Sequence, residues 1–228
     1  MTALDDKTVV REYFNATGFD RWSRIYGDGE VNVVQRNIRI GHQKTVDKLL
    51  SWVEADGNIA DLSFCDAGCG VGSLSIPLME LGAKSVAASD ISEKMVLEGR
   101  ERAAQILGDR PQPSFEVADL ETLSGRYHTV CCLDVLIHYP QEKLEAMLTH
   151  LGSLAEHRLL VSFAPKTPLL TLLKRIGEFF PGPSKTTRAY QHREQDVIAC
   201  LQAQGFTIKR RALNQAPFYY SLLLEAVR

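Results

Sequence analysis

Phe64-Cys65-Asp66-Ala67-Gly68-Cys69-Gly70-Val71-Gly72-Ser73 is the stretch that decides how this chain is read. Its first residues close a short apolar run, as a buried strand does, and residues 74–81 carry helical spacing. Between them stand three glycines, each two apart. Glycine tolerates positive φ and lets backbone come close to a ligand, so a side-chain-free floor is expected here. Placed ahead of a helix N-terminus, such a floor is also expected to present N–H groups to an anionic group.

Working outward, apolar runs at 63–66, 85–89, 114–117, 129–133 and 159–163 alternate with helical patterns at 74–81, 93–107, 141–155 and 168–180. Strands that are apolar nearly throughout, alternating with helices, imply a parallel sheet covered on both faces. After residue 193 the order changes to a helix over 194–204 and two strands, 206–213 and 218–227, joined by a short turn. That hairpin is expected to add an antiparallel pair at the sheet edge. Upstream, residues 5–60 are helical in pattern: two short segments rich in aromatics and broken by Asn15-Ala16-Thr17-Gly18 and by Gly27-Asp28-Gly29, then a longer helix from about Glu30 to Ala55. Its stripe is Val31, Val34, Ile38, Gly41, Thr45, Leu49 and Trp52. Glycine-hinged aromatic segments ahead of a ligand-binding domain suit a movable lid. The division expected is therefore an arm and lid at 1–60 and an α/β domain at 61–228.

In open α/β sheets ligands sit beyond the carboxyl ends of the strands, so the strand-end residues carry the chemistry. These are Asp66, Ser89-Asp90-Ile91-Ser92, Ala118-Asp119-Leu120, and Leu133-Asp134-Val135-Leu136-Ile137-His138-Tyr139-Pro140. A dinucleotide fingerprint needs G-x-G-x-x-G, but Ser73 stands where its last glycine belongs, and Asp66 precedes the glycines. D-x-G-x-G-x-G resembles the first motif of class I S-adenosylmethionine-dependent methyltransferases. That resemblance implies a Rossmann-like, seven-stranded, mostly parallel sheet with one antiparallel strand near the edge. It also implies a cofactor site from Asp66, Gly68, Gly70, Ser89, Asp90, Ile91, Asp119, Leu120 and Leu133, with S-adenosylmethionine as methyl donor and S-adenosylhomocysteine as product. Asp90 suits the ribose hydroxyls, since each carboxylate oxygen has lone pairs to accept with, and Asp119 suits the exocyclic amine of adenine. The plain alternative for any one of these aspartates is a helix cap.

Composition narrows the classes. At 228 residues the chain suffices for one large domain with a sizeable core. A net charge of −2 speaks against non-specific nucleic-acid binding, and no run approaches the roughly 18 apolar residues of a membrane span. Met1-Thr2-Ala3-Leu4-Asp5-Asp6 reads as neither signal nor transit peptide, so a cytoplasmic protein, or one peripheral on photosynthetic membranes, is expected. Five cysteines without a C-x-x-C pair form neither a disulfide framework nor a zinc site. Cys65, Cys131 and Cys132 lie in strand-like runs as small buried hydrophobes, whereas Cys69 is expected to be partly exposed.

Outside the shared motifs, Pro165 to His192 carries five basic residues (Lys166, Lys174, Arg175, Lys185, Arg188) against Glu178, with leucines and the pair Phe179-Phe180. A basic amphipathic insert suits a large apolar acceptor with negative groups, or an anionic membrane surface. A solvated helix face packed on the domain reads nearly as well. The insert's Phe179-Phe180-Pro181-Gly182-Pro183-Ser184-Lys185-Thr186-Thr187-Arg188-Ala189-Tyr190-Gln191-His192 resembles the magnesium-protoporphyrin IX methyltransferase family. So do Tyr13-Phe14-Asn15-Ala16-Thr17-Gly18-Phe19, Ile25-Tyr26-Gly27-Asp28, Ile38-Arg39-Ile40-Gly41-His42, Asp90-Ile91-Ser92-Glu93-Lys94-Met95-Val96 and Ser162-Phe163-Ala164-Pro165-Lys166, together with the stretch from Asp134 to Pro140. The resemblance implies esterification of one propionate of Mg-protoporphyrin IX in chlorophyll or bacteriochlorophyll synthesis, with a magnesium chelatase subunit as a possible partner. His138 would then orient the carboxylate, ligate Mg²⁺ axially or act as base, and Tyr26 would close over the transfer centre. Two other readings stay open: a methyltransferase for another lipophilic acceptor, such as a quinone or phenol, and a porphyrin-binding scaffold without catalysis.

Overall fold

A computed structural model of the chain describes residues 31–168 and 190–228. In it the alternating pattern becomes one seven-stranded sheet. β1 (Ser63–Ala67), β2 (Ser85–Asp90), β3 (Ser114–Val117), β4 (Tyr127–Cys132) and β5 (Ala155–Phe163) are parallel. β6 (Thr207–Ala216) and β7 (Tyr219–Val227) form the closing hairpin, and β7 inserts antiparallel between β5 and β6. The order is β3-β2-β1-β4-β5-β7-β6. It reverses between β1 and β4, and that switch point is where such sheets open a crevice.

Both faces are covered by α1 (Val33–Asp56), α2 (Ser75–Glu80), α3 (Glu93–Leu107), α4 (Gln141–Leu154) and α5 (Glu194–Ala203). Successive strand residues point to opposite faces. Cys65, Cys132, Val161 and Leu224 accordingly pack with α4 and α5, while Phe64, Cys131, Leu160 and Leu223 pack with α1 and α2. This two-sided burial is why the strands read as unbroken apolar runs. β5 starts at Ala155, ahead of the expected 159, although Glu156, His157 and Arg158 are polar. Arg158 is only 4% exposed and remains in the strand because its guanidinium is paired with Asp56 and with the fully buried Glu225. Arg210 reaches the same two carboxylates.

A capping box starts α1: Asn32 accepts from the Gln35 N–H at 2.9 Å, and the Gln35 side chain accepts from the Asn32 N–H at 3.1 Å. Burial along α1 begins only at Gly41 and continues through His42, Thr45, Val46, Leu49 and Val53. Val34, expected in the buried stripe, is 40% exposed. From Gly41 onward α1 packs on β6 and β7, so packing continues across the boundary expected at residue 60. The lid segments of 1–30 and the greater part of the helix expected at 168–180 lie outside the described residues.

Gly41 is where α1 meets the sheet, and a Cβ there would fall 2.2 Å from Cδ1 of Tyr219. Because packed interiors accommodate extra volume only by displacement, Gly41→Ala should cost about 1–3 kcal/mol. A urea titration should show the lowered midpoint.

Candidate active site

The glycine turn is built by backbone that only glycine adopts easily: φ is +84° at Gly68, +53° at Gly70 and +80° at Gly72. The Gly68 and Cys69 N–H groups donate to the Ser89 carbonyl at 2.8 and 2.9 Å, and the Gly70 N–H donates to Asp90 Oδ2 at 3.0 Å. These amides are thus spent on the end of β2.

Beside the turn lies an open cleft. Gly68, Gly70, Ser89, Asp90, Ile91, Leu120 and Leu133 line it at the switch point. Asp90 accepts the Gly70 N–H on one oxygen and the Ser92 N–H, at 2.9 Å, on the other. Each oxygen keeps a lone pair for a further donor. Burial pushes the Asp90 carboxyl above its ordinary value, partly offset by those backbone bonds. Met95, Ala118, Leu120 and Leu133 supply apolar wall. A carboxylate beside apolar walls fits a nucleoside: hydroxyls to the one, base to the other.

His42, Asp134, Val135, His138 and Tyr139 also line the cleft. Asp134, just past β4, has a left-handed φ of +56°, an uncommon conformation that Asp tolerates better than most. Oδ2 accepts from Tyr219 Oη at 2.7 Å and meets His42 Nδ1 at 2.8 Å. Oδ1 accepts from Ser162 Oγ and Ser221 Oγ, both at 2.9 Å. Burial alone would raise the Asp134 carboxyl, yet the bonds from His42, Tyr219 and Ser162 hold it below its ordinary value. Enclosure presses the His138 imidazole down to about 4, against the pull of Asp134, so His138 is neutral near pH 7.

The turn carrying His138 (Leu136–His138) is clamped from the far end of the insert. Fully buried His192 donates from Nε2 to the Leu136 carbonyl at 2.9 Å and meets the Gln141 amide with Nδ1 at 3.0 Å. The Tyr190 N–H donates to the Ile137 carbonyl at 2.8 Å, and His192 exchanges backbone bonds with Ala164 and Lys166. Both ends of the insert therefore meet beside His138.

Family comparison decides what this cleft belongs to. The magnesium-protoporphyrin O-methyltransferase of Synechocystis sp. is 62% identical over 226 residues, which is 99% of this chain and 98% of that protein. The chain belongs to the magnesium-protoporphyrin O-methyltransferase family. A family model described as the magnesium-protoporphyrin IX methyltransferase C-terminus matches residues 132–228, and a methyltransferase domain model matches residues 64–156. The chloroplastic magnesium protoporphyrin IX methyltransferase of Arabidopsis thaliana is 56% identical over 223 residues, 97% of this chain and 71% of that protein. The crystal structure of magnesium protoporphyrin IX methyltransferase from Synechocystis PCC 6803 with bound SAH superposes with a TM-score of 0.89 at 59% identity. It covers 98% of this chain and 100% of that one. A second crystal structure from that source, with bound SAM, gives the same TM-score at 54% identity.

Within this magnesium-protoporphyrin O-methyltransferase family member, two of the residues expected at the cofactor, Asp66 and Asp119, are not among those that line the cleft. Asp66 is 2% exposed beneath the glycine turn and accepts from Ser75 Oγ at 2.5 Å; it supports the turn rather than facing the cleft. Asp119 accepts the Glu121 N–H at 3.0 Å and caps the short 3₁₀ turn Leu120–Thr122, the plain alternative for a strand-end aspartate. Cys69, expected to be partly exposed, is 7% exposed, and burial drives its thiol well above the ordinary value. Tyr26 lies outside the described residues. What sequence reasoning missed is the pairing of His42 and Tyr219 with Asp134, whose partners stand 92 and 85 positions away along the chain.

Two outcomes are expected. Asp90→Ala should weaken S-adenosylmethionine binding by about 1.5–3 kcal/mol, the worth of hydrogen bonds to a charged group, as read by calorimetry. Burial lifts the Asp66 carboxyl from 3.8 to about 6. A raised carboxyl contributes its stability in full below pH 3.8 and loses it as pH rises through about 6. Asp66→Asn should flatten that stretch of a stability-against-pH curve measured by chemical denaturation.

Proposed function

We propose that the chain methylates a propionate carboxylate of Mg-protoporphyrin IX, using S-adenosylmethionine and yielding the monomethyl ester. What carries the reading is the full-length kinship with magnesium-protoporphyrin O-methyltransferases, joined to a cleft lined by the Asp90 carboxylate and by His42 and His138. When bound, S-adenosylmethionine supplies an electrophilic methyl: the carboxylate oxygen forms the new O–C bond as the S–C bond breaks, and opposite charges are lost from both partners.

The residues' task is then placement and exclusion of water. Asp90 holds the ribose hydroxyls, Gly68 and Gly70 let the cofactor lie close to backbone, and Ile91, Leu120 and Leu133 enclose the base. Ser89 holds the glycine turn through its carbonyl. Asp66 and Asp119 act one layer back, as support and cap. A propionate resembles a Glu side chain, with a pKa of about 4.3, and is ionised near neutrality, so no base is needed to make the nucleophile. Neutral His138 orients that carboxylate with a single hydrogen bond, and Tyr26 closes over the transfer centre. Because charge disappears on the way to products, a dry site favours the transition state over the separated ions.

In the same reading a magnesium chelatase subunit hands over the substrate. The basic, apolar insert supports contact with an anionic membrane surface, and no helix among the described residues is long and apolar enough to cross one.

Labelled S-adenosylmethionine mixed with Mg-protoporphyrin IX should pass its label to the porphyrin; porphyrin binding without label transfer would leave the scaffold reading in its place. His138→Ala should lose turnover and not be rescued at high pH. In the unaltered protein any acid limb from His138 should fall near pH 4 rather than 6.5. Tyr26→Phe should slow turnover with cofactor affinity nearly unchanged, as measured by separate kinetic and binding titrations.

A further inference from the structure

His192 is fully buried, yet it is not among the residues that line the cleft. Enclosing an imidazole is costly unless its nitrogens find partners, and an apolar side chain would fill the same space without that demand. One neighbour is indeed apolar: the Phe163 ring meets the imidazole edge-on, with centroids 6.5 Å apart. What an apolar residue could not do there is hold a carbonyl. Nε2 donates to the Leu136 carbonyl at 2.9 Å, and Nδ1 meets the Gln141 amide at 3.0 Å.

Leu136 opens the 3₁₀ turn that ends at His138, and that turn has few bonds of its own. Its cap residue, Val135, supplies no side-chain bond. Internally the His138 N–H donates to the Val135 carbonyl at 3.0 Å and the Tyr139 N–H to the Leu136 carbonyl at 3.1 Å. Hydrogen bonds in 3₁₀ geometry are poorly aligned, which keeps such runs short. A carbonyl oxygen has two lone pairs, so Leu136 accepts the imidazole as well, while the Ile137 carbonyl accepts the Tyr190 N–H at 2.8 Å. His192 is itself tied to the residues that follow β5. Its N–H donates to the Ala164 carbonyl at 2.9 Å, and its carbonyl accepts the Lys166 N–H at 2.8 Å. On the other flank of the turn, Val135 lies so close to the glycine loop that a Cβ on Gly68 would fall 2.2 Å from its Cγ2.

We infer that His192 is a positioning residue for methyl transfer: through the Leu136 carbonyl it fixes the turn that aims the His138 imidazole into the cleft. The inference rests on the reading above in which His138 orients the acceptor's carboxylate. The turn is located from two sides, by the glycine loop at Val135 and by His192 at Leu136. The first refers it to the cofactor loop, the second to the end of β5. A displacement of about 1 Å in a group that orients a reactant can cost a hundredfold in rate. A buried imidazole that never meets the acceptor can therefore govern turnover.

Three variants separate the donor from the bulk. His192→Gln brings an amide N–H to the place of Nε2, His192→Asn is too short to reach Leu136, and His192→Leu has no donor. Turnover of Mg-protoporphyrin IX should fall about tenfold to a hundredfold in the Asn and Leu variants and largely return in the Gln variant. S-adenosylmethionine affinity, read by calorimetry, should stay within about twofold in all three, as for a change confined to the reacting geometry. A second readout needs no turnover. With histidine rings labelled with ¹³C, the His138 signal, identified by its loss in His138→Gln, should move in the Asn and Leu variants and return in the Gln variant. The signals of His128 and His157, whose rings pair near the starts of β4 and β5, should hold still. In the unaltered protein the His192 Nε2 proton should exchange slowly with solvent, a measurement that depends on no variant folding. An unmoved His138 signal, equal losses in the Gln and Leu variants, cofactor affinity falling in step with turnover, or rapid exchange of that proton would overturn the inference. Label transfer by the unaltered protein tests the underlying reaction separately, so failure of the one is distinguishable from failure of the other.

Discussion

The Asp134 carboxylate can stay largely buried and ionised only because four side chains from three other elements reach it at once. His42 comes from α1, Ser162 from β5, and Tyr219 and Ser221 from β7. Satisfying that charge therefore fixes where α1 crosses the sheet and how β7 lies against β5. Removing any one element would strand a buried charge, a penalty large beside the net stability of a domain. The cleft inherits its shape from this arrangement, because Asp134 and His42 are themselves built into its wall.

A second ionic cluster ties the opposite end of α1. Asp56, its last residue, meets Arg158, Lys209 and Arg210, and the two arginines share the fully buried Glu225. Its cationic partners lower the Asp56 carboxyl against the effect of burial. Between the two clusters Val46, Leu49 and Val53 lie fully buried against the sheet. Hydrophobic burial gives the contact most of its free energy, without direction. The charges at each end supply direction, and with it the register that brings His42 to the cleft.

Within the site, structure redistributes roles among residues that look alike in sequence. Asp66, Asp90 and Asp119 each end a strand or follow one, yet only Asp90 of these three lines the cleft. Asp66 sits within β1 itself, where the pleat turns it beneath the loop toward Ser75. Asp119 stands where a short 3₁₀ turn begins, and one of its oxygens accepts the Glu121 N–H. A pleat and a cap are local devices, but which of them a strand-end aspartate meets depends on where the strand stops.

The sequence by itself determined the alternating α/β order, the three-glycine turn, the closing hairpin and Asp90 at the end of β2. Each of these is written in consecutive residues, through the two- and 3.6-residue periods and the backbone freedom of glycine. Tertiary structure alone decided that α1 packs on β6 and β7 and that a polar triplet follows Ala155 within β5. It alone brought His42, Ser162, Tyr219 and Ser221 together on one carboxylate. These partners lie 28 to 92 positions from Asp134, and no local period records a contact of that span. Only the demand of a buried charge for donors, met once the sheet has closed its order, selects them.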